Sequence, residues 1–255
     1  MATPMIAAFN WATAPLRSIL WPSVCSCLYV VMSLAMHRAV TRSGFKLSAA
    51  VLQRLTVVHN CVLSGGSAVM FGGLMLEIAR RSASPEGSMF LLCAATTEAP
   101  AGGMYFWLYT YYLSKYYELL DTPLQLARGK VPPNFGFQVY HHALVLFMAW
   151  GWLEYTQSLW QIGMLFNTAV HVVMYIYFLL CTLGRPPAWK RLVTRFQIVQ
   201  FVTSVLLFAW TAYLILGEGR ACAGTRALLA NVGFNVTLLY QFVGIAKRNA
   251  PKKRA

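Results

Sequence analysis

His141 and His142 stand side by side, with Gln138 three residues ahead of the first, in a stretch that is otherwise aromatic and apolar. Imidazole is both a nucleophile and a proton carrier near neutral pH. Adjacent histidines in an apolar setting therefore point to group transfer or acid–base chemistry. Four further polar sets accompany them: Lys115, Glu118, Asp121 and Thr122; Asn167 and His171; Gln197 and Gln200; His59 and Asn60. On one continuous helix the first set falls within an arc of about 120°, and the i,i+4 and i,i+3 pairs each share a face. Some of these residues also have a plain structural reading. Lys115 and Glu118 make a sensible ion pair, and the amides suit contacts between helices. His59 reads more readily as a packing or hydrogen-bonding residue than as a catalyst. His37 is given no role. Two adjacent imidazoles with a third, His171, at similar depth favour a reactive site over structural glue.

The segments around these residues have the composition of membrane helices. The chain has 255 residues, 58% hydrophobic and only 11% charged, where a soluble domain carries about a quarter charged residues. Apolar runs of about 20 residues are long enough to cross a bilayer. They predict an all-α, polytopic protein with seven transmembrane helices near 18–37, 51–76, 103–121, 138–153, 158–181, 193–216 and 227–246. No repeat or long linker divides residues 1–255, which read as a single transmembrane domain. Ionisable groups at membrane depth are costly and are functional candidates for that reason.

Twenty-one basic residues face seven acidic ones. The basic residues cluster between apolar runs rather than along a groove interleaved with aromatics, which argues against nucleic acid. The positive-inside rule makes the basic loops and the tail 247–255 cytosolic. Seven spans then put the N-terminus on the lumenal side, where five of the seven acidic residues also fall. Residues 1–17 lack the features of a cleaved signal peptide. Lys252 and Lys253 stand fourth and third from the end, a spacing that suggests dilysine retrieval to the endoplasmic reticulum. The six cysteines form no C-x-x-C pair. Cys93 and Cys222 are the two in far-side loops, where an oxidising lumen allows a disulfide.

With this orientation every polar set lies in the cytosolic half, as expected of one site inside a helical bundle, open to the cytosol. The segments that carry the sets resemble the ELO family of very-long-chain fatty-acid elongases. Lys115 to Thr122 is similar to the family's K-x-x-E-x-x-D-T, and Gln138 to His142 to its H-x-x-H-H box. Asn167 to Tyr175 resembles N-x-x-x-H-x-x-M-Y, Thr194 to Phe201 resembles T-x-x-Q-x-x-Q-F, and His59-Asn60 resembles the family's H-N. The departure is Gln138, where most members have histidine. That variant resembles some elongases of polyunsaturated C18 chains. Glutamine is also a poor substitute for imidazole at iron or zinc, so no metal site is expected.

The resemblance implies decarboxylating condensation of malonyl-CoA with a long-chain acyl-CoA to 3-oxoacyl-CoA within helices that enclose an acyl tunnel. Malonyl-CoA and acyl-CoA are then substrates, and no bound cofactor is expected. His141 is the implied acyl acceptor. His142 and His171 would orient, polarise or move protons, with Lys115, Glu118, Asp121, Gln138 and Asn167 around them. Arg185, Lys190, Arg191 and Arg195 are expected to meet CoA, with Gln197, Gln200, Asn60 and Tyr175 near the substrate; Tyr175 and Tyr177 are candidates for the tunnel wall. Membrane lipid, and the reductase and dehydratase of the elongation cycle, are the expected partners, and a homo-oligomer stays open. A di-iron desaturase needs more histidine ligands than the five present. A seven-span receptor or transporter gives no reason for paired histidines beside a basic mouth.

Overall fold

The computed structural model describes residues 4–44, 46–84 and 87–248. Lys252 and Lys253 lie outside the described residues. Seven long helices account for most of the chain: α1 (Leu20–Ser43), α2 (Ala49–Ser82), α3 (Gly102–Glu118), α4 (Phe135–Glu154), α5 (Trp160–Thr182), α6 (Lys190–Leu216) and α7 (Thr225–Arg248). Two short α-helices, Pro4–Ala7 and Asp121–Leu126, and two 3-10 turns, Trp11–Thr13 and Met89–Leu91, accompany them, and no strand is present among the described residues. Apolar sequence in a bilayer must satisfy its backbone internally, which a helix does within one segment. Glycine in the left-handed region stops two helices: Gly44 (φ 63°) ends α1 and Gly184 (φ 75°) follows α5.

By length and composition, α1, α2, α5, α6 and α7 are long and apolar enough to cross a membrane. This is a multi-pass membrane protein. The other two long helices are α3, of 17 residues, and α4, of 20.

Six helices form a closed ring. Following the contacts, α2 meets α3, α3 meets α4, α4 meets α7, α7 meets α6, α6 meets α5, and α5 returns to α2. The α2–α5 contact is the most extensive, and α1 packs outside the ring against α4 and the short helix Asp121–Leu126. Where α2 crosses α3, Gly73 leaves the space filled by the Trp107 indole; a Cβ there would stand 2.1 Å from the ring.

The two ends of the ring differ in charge. Among the described residues four ion pairs gather at one end: Arg17–Glu154, Arg80–Glu77, Arg81–Glu98 and Arg220–Glu218. There Cys93 and Cys222 form a disulfide, flanked by an isolated bridge between Ala95 and Cys222. At the other end Arg185, Lys190, Arg191 and Arg195 are exposed, and among the described residues none has an acidic partner. We refer to these as the disulfide end and the basic end.

The helix expected over 103–121 is shorter in the structure. It stops at Glu118, the chain tightens through Leu119→Tyr116 and Leu120→Tyr117 backbone bonds, and Asp121 opens a separate short helix. Pro123 lacks an N–H and disfavours a continuous helix through this point. Lys115 and Glu118 therefore share one helix, while Asp121 and Thr122 belong to the next.

Candidate active site

Two carboxylates organise the interior near the basic end. Glu118 Oε1 accepts from Lys115 Nζ at 2.7 Å and from Ser114 Oγ at 3.3 Å, and His171 Nδ1 lies 3.5 Å away. Asp121 Oδ1 meets His59 Nε2 at 2.8 Å, and Oδ2 accepts from the Tyr175 hydroxyl at 2.7 Å. His142 Nε2 stands 3.6 Å from the same Oδ2. α2, α3, α4, α5 and the short helix thus meet on two acidic side chains. Burying carboxylates demands partners of this kind, because an unpaired buried charge is prohibitively costly.

Lys115 is spent within the protein. It is 1% exposed, donates to Glu118 and to Asn167 Oδ1 (3.1 Å), and its ammonium sits 3.9 Å from the centre of the Tyr111 ring. An ammonium has three donors, and all three have partners here.

Beside this cluster the ring encloses a largely apolar chamber. Its wall is drawn from five of the six ring helices: Tyr111 from α3, His141 and Trp152 from α4, Asn167 from α5, Gln200 from α6, and Asn231 and Phe234 from α7. Toward the disulfide end Leu159 and Phe208, which cluster with Leu228, close it with apolar side chains. His141 is the one imidazole of its cluster on this wall. Its ring stacks on Phe234 (centroids 6.0 Å, 11°) and meets His142 edge to face at 5.2 Å. Its Nδ1 is buried without a hydrogen-bond partner.

An apolar chamber with one imidazole on its wall, backed by carboxylate-held histidines, suits an acyl chain whose carboxyl end reaches His141. The profile of the ELO (GNS1/SUR4) family matches residues 14–254. The chain belongs to the ELO family. It is 32% identical to the fatty acid elongase sre1 of Dictyostelium discoideum over 222 residues, 85% of this chain and 78% of that one. Fatty acid elongase A of the same organism is 30% identical, covering 94% and 86% of the two chains. A fatty acid elongase 3-like protein of Arabidopsis thaliana is 26% identical over 98% and 91%.

In this ELO protein His141, His142, His171, Lys115, Glu118, Asp121 and Asn167 come together as neighbours. Gln138 is half-buried one turn before His141 and His142, and its amide makes no hydrogen bond among the described residues. Gln200 is on the chamber wall, while Gln197 donates to the Met174 sulfur at 3.6 Å. Asn60 is buried on α2, away from the chamber wall, with its Nδ2 unpartnered. Tyr175 departs from the tunnel-wall expectation: its hydroxyl turns to Asp121 and the side chain is fully buried. Among the described residues no group of three His, Cys, Asp or Glu side chains is arranged to hold a metal ion.

Two contributors escape a motif-based reading. Tyr111 precedes Lys115 by four residues, so it shares that face of α3, and this spacing is the available signal. Tyr29 comes from α1, outside the ring; its hydroxyl bonds Thr122 Oγ1 at 2.6 Å and its ring meets His142 edge-on at 6.2 Å. Nothing in the composition of α1 marks Tyr29.

Proposed function

We propose that this ELO protein elongates long-chain acyl-CoA as a 3-oxoacyl-CoA synthase, carrying the acyl group on Nε2 of His141. The position of His141, alone among its neighbouring imidazoles on the wall of an apolar chamber, is the observation that carries this reading. In the first half-reaction Nε2 attacks the thioester carbonyl. A C–N bond forms, the C–S bond breaks, and CoA leaves as thiol with the imidazole's proton. In the second, malonyl-CoA loses carbon dioxide, and the electron pair of the broken C–C bond attacks the acyl-imidazole. A new C–C bond forms, the C–N bond breaks, and the departing imidazolate takes a proton from solvent, so that His141 returns as free imidazole. Decarboxylation generates the carbanion, so no strong base is needed.

His142 and His171 orient and move protons beside His141, each facing a carboxylate that holds its ring. Lys115 acts at one remove, since its donors hold Glu118 and Asn167 rather than a substrate carboxylate. Arg185, Lys190, Arg191 and Arg195, unspent at the basic end, receive the phosphates of CoA. In this reading the chain lies in the endoplasmic-reticulum membrane, with the basic end toward the cytosol and the N-terminus toward the lumen. The 3-oxoacyl product passes to a reductase and then a dehydratase. Gln138 favours polyunsaturated C18 chains as substrates.

Two measurements test the proposal. Purified protein given labelled malonyl-CoA should release carbon dioxide only when acyl-CoA is present. Acid quenching before malonyl-CoA is added should trap one acyl group per chain, mapped by mass spectrometry to His141. If His141→Ala still retains the acyl label, the assignment is wrong.

A further inference from the structure

Tyr111 plays no part in any motif, yet its side chain touches the site in three ways. Its hydroxyl donates to Asn167 Oδ1 at 2.9 Å, its ring face receives the Lys115 ammonium at 3.9 Å, and the ring stacks on Trp152 (5.6 Å, 11°). The side chain is buried and lies on the chamber wall, as do Trp152 and Asn167.

An amide has one acceptor end and one donor end, and its partners decide which way it points. The Asn167 oxygen receives both the Tyr111 hydroxyl and the Lys115 ammonium at 3.1 Å. An ammonium can only donate, so the opposite orientation would set donor against donor. Asn167 Nδ2 is thereby the unspent end, and Asn167 shares the chamber wall with His141. A fixed N–H donor beside a nucleophile is what an acyl transfer needs where the carbonyl oxygen gains charge.

We infer that Asn167 Nδ2 donates to the acyl carbonyl oxygen during attack by His141, and that Tyr111 is the positioning residue that locks this amide. The inference rests on the condensation reading. It assigns the oxyanion to a neutral amide held from behind. Lys115 becomes part of the mount. The same acceptor-side lock makes the donor rigid, and a donor already in place costs no reorganisation when charge develops.

The test is kinetic, on the purified full chain. Tyr111→Phe removes one oxygen and keeps the ring against Lys115 and Trp152. Its acylation rate constant, read as CoA release in a single turnover, should fall about tenfold, the weight of one hydrogen bond, with KM for acyl-CoA unchanged. Asn167→Asp keeps an acceptor for Tyr111 and Lys115 but has no donor, and should lose about 100-fold or more, as oxyanion-donor deletions do. In an Asn167→Ala background, adding Tyr111→Phe should cost less than about twofold, because the residue that Tyr111 positions is gone. Three results each overturn the inference: wild-type acylation in Tyr111→Phe, a raised KM with kcat intact, or additive losses in the double variant. If Tyr111→Phe does not fold, 3-fluorotyrosine at position 111 makes the phenol a stronger donor with little change in packing; an unaltered acylation rate then overturns it. Failure of the wild type to release carbon dioxide would instead overturn the condensation reading itself.

Discussion

Asp121 concentrates more consequence in one side chain than any histidine does. It ties α2 through His59 and α5 through Tyr175, and its second oxygen faces His142. Asp121→Asn keeps the size and removes the charge. We expect kcat to fall on the order of 100-fold, the scale of a lost acid–base partner, with little change in acyl-CoA KM, measured by steady-state condensation. The Lys115–Glu118 pair makes a different kind of prediction. Both side chains are 1% exposed, so Glu118→Gln leaves a buried ammonium without its anion and should destabilise by about 3–5 kcal/mol. A Lys115→Met, Glu118→Leu double variant should recover most of that melting temperature in detergent while remaining inactive. Recovery of activity with stability would mean the pair serves only packing. At this scale the sequence names most of the cluster, since ionisable residues in apolar runs are conspicuous. Spacing does not rank them: only the family resemblance singles out His141, which the structure puts on the chamber wall while His142, one residue on, turns to Asp121.

The helices themselves are legible, because an apolar run of bilayer length is a local property. α5 and α6 agree with their expected ranges to within three residues at each end, whereas α2 extends six residues beyond its expected end to Ser82. The break after Glu118 goes unmarked by hydropathy, although Pro123 hints at it. That break separates the two carboxylates onto different helices, so that Glu118 faces His171 while Asp121 faces His59 and His142. At the disulfide end, Cys93–Cys222 joins loops 129 residues apart in sequence, and Ala94, Ser158 and Ala223 bond around it. Cys222→Ser should lower stability by about 2–4 kcal/mol, and wild-type protein treated with reductant should melt at the same lowered temperature. A variant that melts like the oxidised wild type would show that the hydrogen bonds suffice. Gly73→Ala tests the α2–α3 crossing. Its Cβ would overlap the Trp107 ring, so a loss of about 1–3 kcal/mol is expected.

Across the whole molecule, charge is sorted by end. Acidic side chains pair with arginines at the disulfide end, while the basic end keeps its cations unspent. Replacing Arg185, Lys190, Arg191 and Arg195 by Gln should raise KM for malonyl-CoA about tenfold, roughly one charge-assisted contact's worth. The difference from wild type should shrink as salt is raised, since exposed charges are screened. If kcat falls instead with KM unchanged, these residues do not hold CoA. The orientation can be checked separately. A glycosylation acceptor inserted near 217–221 should be modified in microsomes, and one near 128–130 should not; the reverse pattern would invert the topology.

That this is a helical membrane protein of the ELO family, which polar residues enter its spans, and how charge is sorted between its loops can all be read from the amino-acid order. Those are properties of composition and short-range spacing. That α1 stands outside a ring of six, that His141 meets the chamber, and that Lys115 is consumed by Glu118, Asn167 and Tyr111 emerges only when the helices pack. These depend on how each helix is rotated about its axis and which helices it crosses. Such choices are made by side chains far apart in sequence packing together, and no local pattern records them.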